Sequence, residues 1–239
     1  MKKNILLIHG WDYELYTKMT QETDPWYYAK DLVEELEKTY NVKKVVLPGF
    51  CHQKEPKDKE WNIEDYASYI DDYIKKCNMN IDIIIGYSFG GAVALKWKDK
   101  HKNDTKLFLI APAIIRNQDN SKKFAKTPKA IQGIRNFLRD LYVIYIVKNN
   151  EMKYGTNFLR KSYQSIVRED LREQLKSINP NDITMVYGSE DDAVDPKEMI
   201  NSVDEMFKDR IETIDNADHD NIITDYNKEL IRALNRSLK

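Results

Sequence analysis

The chain has 239 residues, 38 Lys and Arg against 39 Asp and Glu, and a formal net charge of −1. Near-neutrality gives no support to a general nucleic-acid role, and no apolar run approaches the ~20 residues a membrane span needs. One cytoplasmic domain with a sizeable core is therefore expected. Cys51 and Cys77 form neither a disulfide framework nor a metal-ligand spacing, and residues 5–8 are too short an apolar run for a signal peptide.

Residues 4–8 (Asn-Ile-Leu-Leu-Ile) form a continuous apolar run, as in a central parallel strand covered on both faces. His9-Gly10-Trp11 ends it. A long loop, residues 12–25, follows, and Tyr13, Tyr16 and Trp26 can line a pocket or cover the core edge. Residues 26–38 read as an amphipathic helix, started by Asp24-Pro25 and carrying Ala29, Leu32, Val33 and Leu36 inward. Residues 42–47 form the second strand, ended by Pro48-Gly49. A charged loop leads to a helix over residues 63–76.

Residues 81–85 are four Ile and one Asp, a buried strand by composition. Gly86-Tyr87-Ser88-Phe89-Gly90 follows, and residues 92–97 open a helix. A G-x-S-x-G between strand and helix is a nucleophile elbow: the serine sits at the tip of a strained turn, and its neighbours two before and two after must lack bulk. Residues 105–110 are the fourth strand. From 112 to about 180 the strand–helix rhythm stops. Helices are expected at 128–140, 141–147 and 162–178, as an insertion over the sheet edge. The first half of that insertion is basic, which suits a solvated face or anionic substrates. Residues 182–187 resume the sheet, 197–207 form a helix, 211–214 the last strand, and 226–238 a terminal helix. The expected fold is α/β: a doubly wound, mainly parallel six-stranded sheet with helices on both faces and a helical cap insertion. Residues 1–111 and 181–239 would be the core, 112–180 the cap.

A serine hydroxyl needs a base, and the base needs an acid to fix its tautomer. Of the four histidines, His52 and His101 lie in charged surroundings and His9 belongs to a turn. His219 follows the last strand, on the same sheet edge as Ser88, and is the expected base. Asp191, Asp192 and Asp195 all follow the penultimate strand; Asp191 is chosen. The amides of Phe89 and Trp11 are the candidate oxyanion donors. Tyr13 and Tyr87 are candidate substrate-binding residues. His52 with Glu55 and Asp58 has no recognisable metal spacing, so no metal and no cofactor are expected.

His9-Gly10-Trp11, Gly86-x-Ser88-x-Gly90-Gly91, Gly188-x-x-Asp191-x-x-Val194 and Asp218-His219 stand in an order that resembles the α/β-hydrolase superfamily, in its serine-nucleophile branch with a helical cap. The likeness covers nearly the whole chain. It implies a Ser88–His219–Asp191 triad, a cap over residues 112–180 and a short sheet lacking the opening antiparallel hairpin of many members. After the second strand only Pro48-Gly49 survives of the family's D-x-P-G-x-G-x-S turn. A serine nucleophile argues against dehalogenase and epoxide hydrolase chemistry.

The resulting expectation is a serine hydrolase acting on a small-molecule ester or thioester, as a monomer or homodimer. The same residues serve amide and carbon–carbon bond hydrolysis, and a non-catalytic ligand-binding protein on the same fold is the alternative from another class.

Overall fold

The computed structural model describes residues 2–18, 24–57, 59–115 and 150–238. Six strands, β1 (Asn4–Ile8), β2 (Asn41–Val45), β3 (Ile83–Tyr87), β4 (Lys106–Ile110), β5 (Ile183–Gly188) and β6 (Ile211–Ile214), form one sheet. Its order is β2-β1-β3-β4-β5-β6, with every neighbouring pair parallel.

The apolar runs are continuous because the sheet is covered twice. Leu6, Ile8, Ile84, Leu107, Leu109 and Met185 enter one core cluster, while Ile5, Leu7, Ile83, Ile85, Phe108 and Ile110 enter the other. This is the two-residue period of a strand with both faces buried. Helices α1 (Glu14–Thr17), α2 (Lys30–Thr39), α3 (Ile63–Cys77) and α4 (Phe89–Lys100) belong to the first half of the chain. In the second half are α5 (Asn150–Tyr154), α6 (Asn157–Ile166), α7 (Arg172–Lys176), α8 (Pro196–Ser202), α9 (Glu205–Lys208) and α10 (Asn227–Ser237). Helices α3 and α4 pack together on the first face, and α2 and α10 on the second. Each presents apolar residues three and four apart, such as Leu32, Val33 and Leu36 of α2.

Several expected elements shift. The third strand starts at Ile83 and runs through Gly86 and Tyr87, which pair with Leu109 and Ile110 of β4. Residues 27–29 are a 3-10 turn, with Asp24 Oδ1 accepting from the Trp26 N–H, before α2 begins. The helix expected over 162–178 is two, α6 and α7, separated by a turn in which Leu171 N–H donates to Ile114 O. The one expected over 197–207 is also two, because Asp204 is extended (ψ 151°). The helices expected at 128–140 and 141–147, and the basic stretch around them, lie outside the described residues, as does Asp58.

The chain winds outward from β1 to β2 and then returns past β1 to β3. The sheet's switch point therefore lies between β1 and β3, where α/β sheets leave a crevice beyond the strand ends. Segment 150–176 is fastened beside it. Ser162 Oγ accepts from the Trp61 N–H (2.8 Å), Glu169 Oε1 from the Ile63 N–H (3.0 Å), and Tyr16 Oη donates to Glu151 O (3.2 Å).

Helix α3 is held at its start by a capping box. Asn62 Oδ1 accepts from the Asp65 N–H at 2.9 Å, and Asp65 Oδ2 from the Asn62 N–H at 3.1 Å. Asn62→Ala is expected to cost about 1 kcal/mol, read as a lower urea midpoint at unchanged slope.

Candidate active site

The sharp turn after β3 is built by what its glycines omit. Ser88 has φ 50° and ψ −114°, a region costly for a side-chain-bearing residue, by roughly 1–3 kcal/mol. A Cβ on Gly86 would stand 2.5 Å from Gly90 O, and one on Gly90 would stand 2.2 Å from Ile8 O. Both contacts are with backbone, so neither position can carry a side chain without moving β1 or α4. The Ser88 amide donates to Ile110 O at 2.9 Å, tying the turn to β4. Ser88 thus stands at the start of α4, whose end carries partial positive charge.

Two further loops meet this serine. His219 Nε2 lies 3.0 Å from Ser88 Oγ, and His219 Nδ1 lies 2.8 Å from Asp191 Oδ2. A carboxylate only accepts, so Nδ1 carries the proton and Nε2 is left as acceptor for the serine hydroxyl. Asp191 is buried (5% exposed), and its other oxygen accepts from the Ala193 and Val194 amides at 3.0 and 2.8 Å. Of the other acids in that loop, Asp192 is exposed, and Asp195 caps α8 by accepting from the Lys197 N–H. The two loops approach because Gly188 has no side chain: a Cβ there would stand 2.2 Å from Ala217 O. The His219 loop is pinned internally, with Asp218 Oδ1 accepting from the Asn221 N–H and Asn221 Oδ1 from the Asp218 N–H. Tyr87 Oη donates to His219 O at 2.9 Å, joining the His219 loop to the residue before the serine.

The loop after β1 completes the site. Gly10 passes close to the serine; a Cβ on it would meet the Tyr87 ring at 2.9 Å and Ser88 Cβ at 3.4 Å. His9 is fully buried. Leu47 N–H donates to its Nε2 (3.1 Å), so its Nδ1–H donates to Gly10 O (2.7 Å). Burial pulls its pKa down to about 4, against a weaker opposite pull from the Gly10 carbonyl. His9 is therefore neutral, with both nitrogens engaged in holding the loop. Trp11 packs edge-on against Phe89, with ring centroids 5.3 Å apart, and against Phe50 at 5.0 Å. The two residues whose amides were chosen as oxyanion donors are thus in direct contact. His101 stacks on Trp97 and meets Asp71 at 3.0 Å, in a different part of the molecule.

Ser88 and His219 open onto a cavity of about 530 Å³. Trp11, Phe89, Tyr13 and Tyr87 also line it; Asp191 stands behind His219. Trp26 is core, packed with α2, and Tyr16 leans on Phe50. Sequence reasoning missed the rest of the lining. Asp12 and Glu14 follow Trp11, Tyr27 and Tyr28 precede α2, Glu151 and Tyr163 come from segment 150–176, and Asp220 follows His219. Only Asp12, Glu14 and Asp220 carried a signal, as neighbours of named residues.

No family model and no curated protein matches the sequence. Solved structures do match. An esterase from Exiguobacterium antarcticum is 17% identical, with a TM-score of 0.66 over 99% of this chain and 92% of its own. A thermophilic esterase from Thermogutta terrifontis is 16% identical, with a TM-score of 0.66 over 100% and 92%. A bromoperoxidase from Bacillus anthracis is 15% identical, with a TM-score of 0.65 over 98% and 92%. This chain has the α/β-hydrolase fold.

Between pH 6.5 and about 4 the unfolded chain protonates His9 while the folded chain does not. Stability from this residue is full above that window and falls by about 3 kcal/mol as pH drops through it. His9→Asn, which keeps a donor toward Gly10, is expected to be less stable at pH 7 but less acid-sensitive. Urea unfolding of both proteins at pH 7 and pH 4.5 checks this; parallel losses would refute the assignment.

Proposed function

We propose that this chain is a serine hydrolase that cleaves a carboxylic ester or thioester of a small molecule. The observation that carries the reading is the unbroken chain from Ser88 Oγ to His219 (3.0 Å) to Asp191 (2.8 Å), set on a strained turn at the mouth of a cavity. Its neighbours of the same fold include proteins described as esterases, which supports hydrolysis without specifying a substrate.

In this reading His219 Nε2 takes the Ser88 proton as Oγ attacks the acyl carbon. The Trp11 and Phe89 amides stabilise the resulting oxyanion. His219 then gives the proton to the departing alcohol or thiol, leaving an acyl-serine. Water loses a proton to the same nitrogen, attacks the acyl carbon, and the acid leaves as Ser88 recovers its proton. Asp191 holds the imidazole tautomer throughout. Tyr13 and Tyr87 border the substrate. Residues 112–180 act as the cap, of which the described part brings Glu151, Tyr163, Ile166 and Val167 to the cavity. No step calls for a cofactor.

Fluorophosphonate is expected to add one adduct mass to wild-type protein and none to Ser88→Ala. Turnover of p-nitrophenyl acetate, butyrate or octanoate should fall at least about 10³-fold in the variant. Folded wild-type protein that neither labels nor turns over would refute the reading.

A further inference from the structure

The cavity wall is chemically one-sided. Asp12, Glu14, Glu151 and Asp220 all border it, and no Lys or Arg does among the described lining residues. Glu14 is answered: it pairs with Lys18 and accepts from Tyr27 Oη. Asp12, Glu151 and Asp220 form no ion pair with a described Lys or Arg. Asp12 uses Oδ1 to accept from the Glu14 N–H at 2.8 Å, which leaves its other oxygen.

These charges sit where they are expensive. Burial lifts the Asp12 carboxyl above its ordinary range, and the nearby Glu14 and Asp220 charges lift it further, against the pull of the Glu14 N–H and Lys18. Burial also lifts Glu151, with Asp12 adding to it. Like charges gathered in a half-buried cavity destabilise the empty protein and favour any cation that enters. A second feature is independent of them. Tyr28 borders the same cavity, and its hydroxyl is buried with no hydrogen-bond partner among the described residues. Burial keeps this phenol neutral, so its oxygen offers that wall an acceptor dipole and no charge. Tyr13, Tyr27 and Trp11 supply aromatic surface beside it, and ring faces attract ammonium groups.

We infer that the substrate carries an ammonium group, held between the Asp12–Glu151–Asp220 side of the cavity and its tyrosines while Ser88 attacks the acyl carbon. This rests on the serine hydrolase reading and narrows its substrate class. The lining near Ile166, Val167, Val194 and Ile223 is apolar and suits the uncharged part of the molecule.

The test compares cationic esters with neutral carbon isosteres. One pair puts the charge on the acyl side: p-nitrophenyl 4-(trimethylammonio)butyrate against p-nitrophenyl 5,5-dimethylhexanoate. The other puts it on the leaving group: butyrylthiocholine against S-(3,3-dimethylbutyl) thiobutyrate. In at least one pair, kcat/KM is expected to favour the cation at least tenfold. That ratio should fall at least threefold in Asp12→Asn and in Glu151→Gln, each tested separately and checked for folding by thermal melt. Calorimetric titration of Ser88→Ala with the same pairs reads binding without turnover, and the cationic member should bind at least tenfold more tightly. Equal or weaker binding and turnover of the cationic member in both pairs would overturn the inference and leave the hydrolase reading standing. Absent turnover and absent labelling would instead overturn the hydrolase reading, and the calorimetric comparison would still decide the cation preference.

Discussion

The site depends on a contact that only glycine permits: the start of helix α4 lies against the end of strand β1. The would-be Cβ of Gly90 falls 2.2 Å from Ile8 O and that of Gly86 falls 2.5 Å from Gly90 O. With both hydrogens in place, Ser88 can hold a positive φ and stand clear of the sheet between β1 and β3. The strain at Ser88 is offset by burial around it: Ile8, Ile84 and Ile85 are at most 1% exposed, as are Ala92 and Val93. A well-packed interior is what lets a costly backbone conformation persist.

The same device recurs on the other side of the serine. Gly188 closes the gap to Ala217 as Gly90 closes the gap to Ile8. Asp191 and His219, 28 residues apart in sequence, meet because β5 and β6 are neighbours and their following loops touch at that glycine. Four loops, those following β1, β3, β5 and β6, therefore converge through absent side chains. Hydrogen bonds then fix the directions: Asp191 by two amides, His219 by Asp191 and Tyr87, the β1 loop by buried His9.

How much of this was legible in the sequence follows from the range of each interaction. Strands β1 and β6 have the bounds expected of them, residues 4–8 and 211–214. Strand β3 was placed two residues early, because Gly86 and Tyr87 read as turn while pairing with β4 makes them strand. Residues 162–178 and 197–207 looked like single helices because helical periodicity survives a short break. What breaks them is long-range, such as the Leu171 amide reaching Ile114 O. Ser88, Asp191 and His219 were legible because each sits beside a glycine turn or a strand end. Asp12, Glu151 and Asp220 were not picked out, since they come from three distant segments and share no spacing. Tyr13 and Tyr16 looked alike in sequence, yet one borders the cavity and the other packs on Phe50.

The edge strand β2 has a consequence of a different kind. Its residues Asn41, Val42, Lys43, Lys44 and Val45 are buried only at the last position. One side of that strand pairs with β1, and the other has no strand beside it among the described residues. Lys43 and Lys44 occupy two of its five positions. Another copy aligning there would have to dehydrate the exposed Lys43, bury the Lys44–Asp24 ion pair and displace Tyr73 Oη from the Lys44 carbonyl. An all-parallel sheet must end somewhere, and ending it on an exposed lysine beside a backbone carbonyl already taken by Tyr73 disfavours aggregation along that edge.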